Sequence, residues 1–189
     1  MMLRNTTDRW GTIAQLLHWA IAVLIIAMIG LGWYMNSLPP GPEQFQLYAL
    51  HKATGLIILA LVVVRIIWRL INPAPVLPDT LKPHERVLAG VTHTGLYVLI
   101  LAMPVTGYII NSASGFPMTL YGLVTVPNLI PSDGDLQDLA EVVHIWLSRL
   151  LIAVVFLHVG AALKHHFVLK DDTLLRMLPF ARQSPKRRN

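Results

Sequence analysis

Eight histidines and no cysteine define the chemistry open to this 189-residue chain. Imidazole binds metals and carries protons near neutral pH. The missing thiols exclude disulfides, cysteine-ligated iron–sulfur clusters, thiolate zinc sites and covalent haem attachment through Cys-x-x-Cys-His. Neither a Gly-x-x-x-x-Gly-Lys-Ser/Thr loop nor a Gly-x-Gly-x-x-Gly turn occurs, so nucleotide binding has no sequence handle.

His144 and His158 stand fourteen residues apart in an apolar segment. On a helix, fourteen residues rise about 21 Å and rotate to within about 40° of four full turns. Both imidazoles then share one helix face at two heights. Two metal centres stacked along a helix would need that spacing.

The elements that must carry these groups are membrane spans. The chain is 54% hydrophobic and only 13% charged, against roughly 25% charged residues in soluble globular proteins. That excludes disorder and argues against an ordinary soluble enzyme. Residues 10–42 and 87–132 contain no Asp, Glu, Lys or Arg, and 53–64 and 142–163 are apolar apart from Arg149 and two histidines. A span needs about 20 residues to cross roughly 30 Å of hydrocarbon. The pattern predicts an all-α membrane protein, a bundle of four transmembrane helices near 13–36, 47–70, 87–111 and 140–165. Residues 166–189 form a basic tail. Pro39, Pro40, Gly41 and Pro42 end the first helix, and Asn72, Pro73, Pro75 and Pro78 break the chain after the second. The third block is too long for one span. Its later half, with Gly115, Pro117, Gly122, Pro127 and Pro131, reads as an ordered apolar loop at the membrane surface. The first helix is too long for a cleaved signal peptide and lacks a small-residue cleavage site.

Thirteen of the fifteen Lys and Arg residues fall on one side of these spans: Arg4, Arg9, Arg65, Arg69, Lys82, Arg86, Lys164, Lys170, Arg176, Arg182, Lys186, Arg187 and Arg188. The positive-inside rule places that side, with both termini, in the cytoplasm. The opposite loops carry Glu43, Asp133, Asp135, Asp138 and Glu141, with Lys52 as the basic exception. The net charge of +5 therefore reads as topology and contact with anionic lipid, not as affinity for nucleic acid.

Within this topology the histidines sort into two layers. His51 and His144 belong to the outer half of the membrane, and His18 and His158 to the inner half. An ionisable group in hydrocarbon is costly and marks a partner or a function. Zinc would want four ligands per centre. Haem b needs only two axial imidazoles because the porphyrin supplies four nitrogens, so two histidines per layer suit it better. The residue four positions on is small in each case: Ala22, Gly55, Ser148 and Ala162. Such residues leave room for a flat macrocycle, although small residues also serve plain helix packing. His93 lies inside the third span. It could hydrogen-bond a neighbour, approach a quinone or replace a ligand of the inner layer. His84, His165 and His166 fall at or beyond the cytoplasmic boundary.

The chain resembles the bacterial cytochrome b561 family. The resemblance is carried by Leu17-His18-Trp19, His51-Lys52, Val64-Arg65, Met103-Pro104-Val105-Thr106-Gly107, the His144 and His158 pair, and the tail from Ala161 to His166 with Lys170-Asp171-Asp172 and Leu175-Arg176-Met177-Leu178-Pro179. It covers nearly the whole chain, and the order of the pieces is specific. The resemblance implies two non-covalent b haems, iron ligation by His18, His51, His144 and His158, and quinone-linked electron transport across the bacterial inner membrane. It further implies superoxide as electron donor and ubiquinone as acceptor. Other readings are a haem b anchor subunit for a hydrogenase or dehydrogenase, and a non-haem histidine-based transporter.

Within that reading Arg65, fourteen residues after His51, shares its face and is expected near an inner haem propionate; the alternative is snorkelling to the headgroups. Arg149 is rotated about 140° from His144 on an ideal helix and faces elsewhere. Lys52 is the candidate for steering the superoxide anion. Arg86, His93 and Trp19 are the quinone-site candidates.

Overall fold

Three of the four long helices start where the chain supplies a side-chain cap or a proline. In a computed structural model, which describes residues 2–77 and 81–179, α1 spans Thr12–Ser37, α2 Pro42–Ile71, α3 Pro83–Ala113 and α4 Gly134–Lys164. All four are long and apolar enough to cross a membrane. Pro78 and the tail residues Arg182, Lys186, Arg187 and Arg188 lie outside the described residues.

The helices begin earlier than the apolar blocks suggest. Pro42 and Pro83 open α2 and α3, because proline's fixed φ and missing N–H suit a first turn. Pro42 thus starts the second helix instead of ending the first. The Asp133 side chain caps α4 by accepting from the Leu136 amide at 3.0 Å. Glu43, Glu85 and Asp135 fill the first turns of α2, α3 and α4, where the helix dipole favours negative charge. These polar turns extend beyond the stretch that hydropathy marks. At its far end α4 widens into a π-turn at His165–Leu169, closed by Lys170 in the left-handed region at φ 53°.

The loop between α3 and α4 contains a small antiparallel hairpin, β1 Met118–Leu120 with β2 Val124–Val126. The hairpin marks one end of the bundle, called outer here after the charge asymmetry. The N-terminal segment from residue 2 and the tail up to residue 179 meet at the other, inner end. There Asn5 donates to the Asn72 and Pro73 carbonyls, each at 3.1 Å. Gln15 donates to Arg176 O at 3.0 Å and Trp19 to Met177 O at 3.0 Å. The tail is thus strapped across the start of α1. At the same end the N-terminal segment folds back on the start of α1, which Gly11 permits, since a Cβ there would lie 2.4 Å from the Leu3 carbonyl oxygen and the Arg4 carbonyl carbon.

Consecutive helices pack on one another, whereas α4 does not close broadly back onto α1. The buried centre is aliphatic: Ile21, Ile58, Val62, Leu99, Ile100 and Leu151. Leu151 is seven residues from both His144 and His158, and Ile58 is seven from both His51 and Arg65. The cluster therefore lies midway between the two histidine heights. In lipid, close packing holds such a cluster together, because the tails are as apolar as the side chains. Ile26, Val63, Phe156 and Leu157 face outward.

Candidate functional site: two histidine layers

The bundle brings the four singled-out histidines together in two pairs. His51 of α2 faces His144 of α4 with ring centroids 6.5 Å apart and planes at 71°. His18 of α1 faces His158 of α4 at 6.2 Å and 71°. Two imidazoles on opposite sides of one metal, each bonded at about 2 Å with its ring centre about 1.2 Å behind the nitrogen, have centroids roughly 6.4 Å apart. Both pairs fit that span. Among the described residues no cluster of three or more His, Asp or Glu is placed to hold a metal ion. A group that brings its own equatorial nitrogens therefore suits the donor set, and a bare zinc ion does not.

In the outer layer Nδ1 of His51 is buried without a hydrogen-bond partner among the described residues. Such an orphaned polar atom costs stability unless a function keeps it. Across from it, Nδ1 of His144 lies 2.8 Å from the Thr106 hydroxyl. Glycines back both rings: a Cβ on Gly32 would stand 3.7 Å from His51 Cε1, and one on Gly107 3.5 Å from His144 Cε1. The small residue after His51 behaves differently, because Gly55 faces Met28. Small residues do flank the outer imidazoles, but from α1 and α3, and spacing within one helix does not show that.

Lys52 follows His51 and is half-buried. Its ammonium donates to Asn111 Oδ1 at 2.9 Å. Asn111 is buried, and its amide donates to Phe116 O at 3.1 Å and faces Asn128 Oδ1 at 3.4 Å. The lysine is thus held in place beneath the hairpin loop. Thr54 and Tyr121 share a 3.0 Å hydroxyl–hydroxyl bond that pins the hairpin to α2.

The inner layer is cationic. Arg65 donates through NH1 to the Ala14 carbonyl at 3.0 Å and through Nε to Tyr97 Oη at 3.2 Å, and its NH2 lies 3.4 Å from His18 Nδ1. The guanidinium therefore turns into the bundle instead of snorkelling. α2 repeats the fourteen-residue interval of α4, with Arg65 where α4 has its second histidine. Arg69 stacks over Trp10 and Tyr97 at 5.8 and 5.5 Å.

The three quinone-site candidates are spread over this end. His93 lies 5.5 Å from His158, centroid to centroid. Trp19 packs edge-on against His18 at 5.3 Å, and its indole N–H is taken by Met177 O. Arg86 donates to the Leu81 carbonyl at 3.2 Å, at the start of α3. Arg149 faces away, stacked at 4.7 Å over Trp146.

Comparison with known proteins supplies the family. The model for prokaryotic cytochrome b561 matches residues 9–180. The chain belongs to the prokaryotic cytochrome b561 family. It is 35% identical over 185 residues to cytochrome b561 homolog 2 of Escherichia coli, covering 94% of this chain and 95% of that protein. It is 34% identical over 168 residues to a Yersinia pestis protein named probable superoxide oxidase CybB, covering 86% and 92%. Cytochrome b562 of Cereibacter sphaeroides is 31% identical over 171 residues, covering 86% and 90%. Membership brings transmembrane electron transfer, haem b binding and redox chemistry in a bacterial membrane.

Thr106, Gly32, Gly107 and Asn111 are the site residues that reading by helix missed. Thr106 and Gly107 sit within the Met103–Gly107 motif, which was a usable signal. Gly32 and Asn111 gave none, since their roles depend on how neighbouring helices are set.

Proposed function

We propose that the chain carries electrons across the bacterial inner membrane through two non-covalent haem b groups, oxidising superoxide at the periplasmic side and reducing ubiquinone. The supporting observation is the pair of two-imidazole layers, with centroid spacings of 6.5 and 6.2 Å. In this reading His51 and His144 hold the outer haem, and His18 and His158 the inner one. Both termini are cytoplasmic, and the chain is one domain ending in a basic tail. Similarity to a protein named as a superoxide oxidase supports the choice of donor.

Bound haem supplies reversible one-electron transfer at each layer. The chain's own residues organise it. Ile58, Val62, Leu99 and Leu151 form an aliphatic cluster between the layers. Lys52 places one ammonium beside the outer layer, where it attracts a small anion locally. Arg65 places positive charge at the inner layer, where it would balance the carboxylates of a bound haem. Two superoxide anions each lose one electron and leave as dioxygen. One ubiquinone takes both electrons and two protons, with His93, Trp19 and Arg86 as the candidate residues on that side.

The test is the purified protein itself. Two haem b per chain and low-spin ferric signals of near-perpendicular bis-imidazole ligation are expected from the 71° ring planes. Superoxide should reduce both haems, and ubiquinone should reoxidise them. A protein without haem overturns the reading. Reduction only by a hydrogenase or dehydrogenase partner replaces it with the anchor role.

A further inference from the structure

Thr106 has one hydroxyl proton and several neighbours. Its Oγ1 lies 3.0 Å from the Ala102 carbonyl, 2.9 Å from the Met103 carbonyl and 2.8 Å from His144 Nδ1. Carbonyl oxygens only accept, and a helical threonine gives its proton to the carbonyl three or four residues back. The hydroxyl oxygen is then left as an acceptor, so the imidazole at 2.8 Å is the donor. The hydroxyl oxygen therefore calls for the Nδ1–H tautomer of His144, which leaves the Nε2 lone pair free.

Pro104 lies inside α3 two residues before Thr106 and lacks the N–H that would bond the Ile100 carbonyl. Among the described residues His51 has no partner at Nδ1, and His18 Nδ1 lies 3.4 Å from an Arg65 nitrogen, too far to set its tautomer.

Resting on the bis-histidine haem reading, we propose that Thr106 is a positioning residue for the outer haem: by accepting from Nδ1–H it fixes the His144 tautomer and makes that imidazole a stronger donor to the iron. Outer-shell acceptors raise the basicity of a ligating histidine, and a more basic ligand favours the oxidised metal. Thr106 therefore lowers the midpoint potential of the outer haem alone. The hydroxyl is needed for this, and the threonine methyl is not.

The experiment is a redox titration of the haem-loaded protein, followed optically and by EPR, for wild type, Thr106→Val and Thr106→Ser. The outer haem is assigned as the one lost in His51→Ala. The expected result is an upward shift of the outer potential in the valine variant, no shift of the inner one, and return to the wild-type value with serine. Loss of the outer haem from the valine variant but not from the serine variant also supports the role. Unchanged potentials, equal shifts of both haems, or equal effects of valine and serine overturn it. In wild type, exchangeable-proton ENDOR on the ferric signals reads the Nδ1–H bond directly. Absence of a hydrogen-bonded Nδ1 proton at the outer haem overturns the proposal even if the valine variant does not fold. A wild-type chain without bis-histidine haem overturns the underlying reading instead, and that result is separate from any variant.

Discussion

The outer and inner layers use the same pair of side chains and surround them with opposite chemistry. In the outer layer His144 meets a hydroxyl oxygen and His51 meets no partner at Nδ1 among the described residues. Glycines stand against both rings. In the inner layer His18 meets Arg65 at 3.4 Å, His158 meets a third imidazole at 5.5 Å, and Trp19 covers the edge. The difference teaches that two histidine pairs of similar spacing need not be equal electrostatically. An acceptor at one ligand favours positive charge on the metal, and a cation beside another disfavours it.

The largest expected effect comes from breaking one layer. His144→Ala should remove the outer haem and leave the inner one, halving the haem-to-protein ratio; His18→Ala should do the converse. Loss of both haems in either variant would mean that the layers are not independent.

Next is the inner cation. Arg65→Gln keeps length and hydrogen bonding while removing charge. It should lower the potential of the inner haem and leave the outer one in place. A potentiometric titration showing the outer haem shifted more than the inner would undo the contrast drawn between the layers.

Lys52 sharpens the outer side. Lys52→Glu should slow reduction by superoxide at low salt by about tenfold, with the difference shrinking as salt screens the charge. Equal rates at all ionic strengths would show that this ammonium serves only to hold Asn111 and the hairpin.

The smallest effect is expected at the strap. Burial raises the Asp171 carboxyl, but hydrogen bonds from Thr173 and His165 outweigh it and hold its pKa below the usual value. A carboxyl lowered by folding contributes stability above its unfolded pKa, and that contribution is lost as pH falls through the folded value. Amide protection factors in residues 171–178, taken relative to the intrinsic exchange rate at each pH, should therefore fall as pH drops below the ordinary carboxylate range. Asp171→Asn should show the lower protection already at neutral pH.

Much of this was legible in the residues. Charge-free blocks gave four helices, and the fourteen-residue interval gave two heights on one face. The interval from His51 to Arg65 placed the arginine at the inner layer. The rest depended on relations between helices. A threonine inside an apolar span reads as a back-bonded packing residue until a neighbouring helix brings an imidazole to it. Gly55 looked like part of a slot because it shares a face with His51, yet Met28 fills the space before it. Trp19 offered an indole donor until the tail, far along the chain, claimed it. The early starts of α2 and α3 were hidden by the prolines that cause them, since proline reads as a breaker when its position in the first turn is not seen.

The separation of the layers has an electrical consequence. On the proposed route an electron moves about 21 Å along the helix axis, most of the roughly 30 Å hydrocarbon thickness. The cluster between the layers is aliphatic and offers no titratable side chain. The electron therefore carries negative charge alone towards the negatively charged side of the membrane. A full crossing against 100 mV costs about 2.3 kcal/mol, and that work is stored in the field. A chain that oxidises a waste radical outside would, by the same step, help to charge the membrane that holds it.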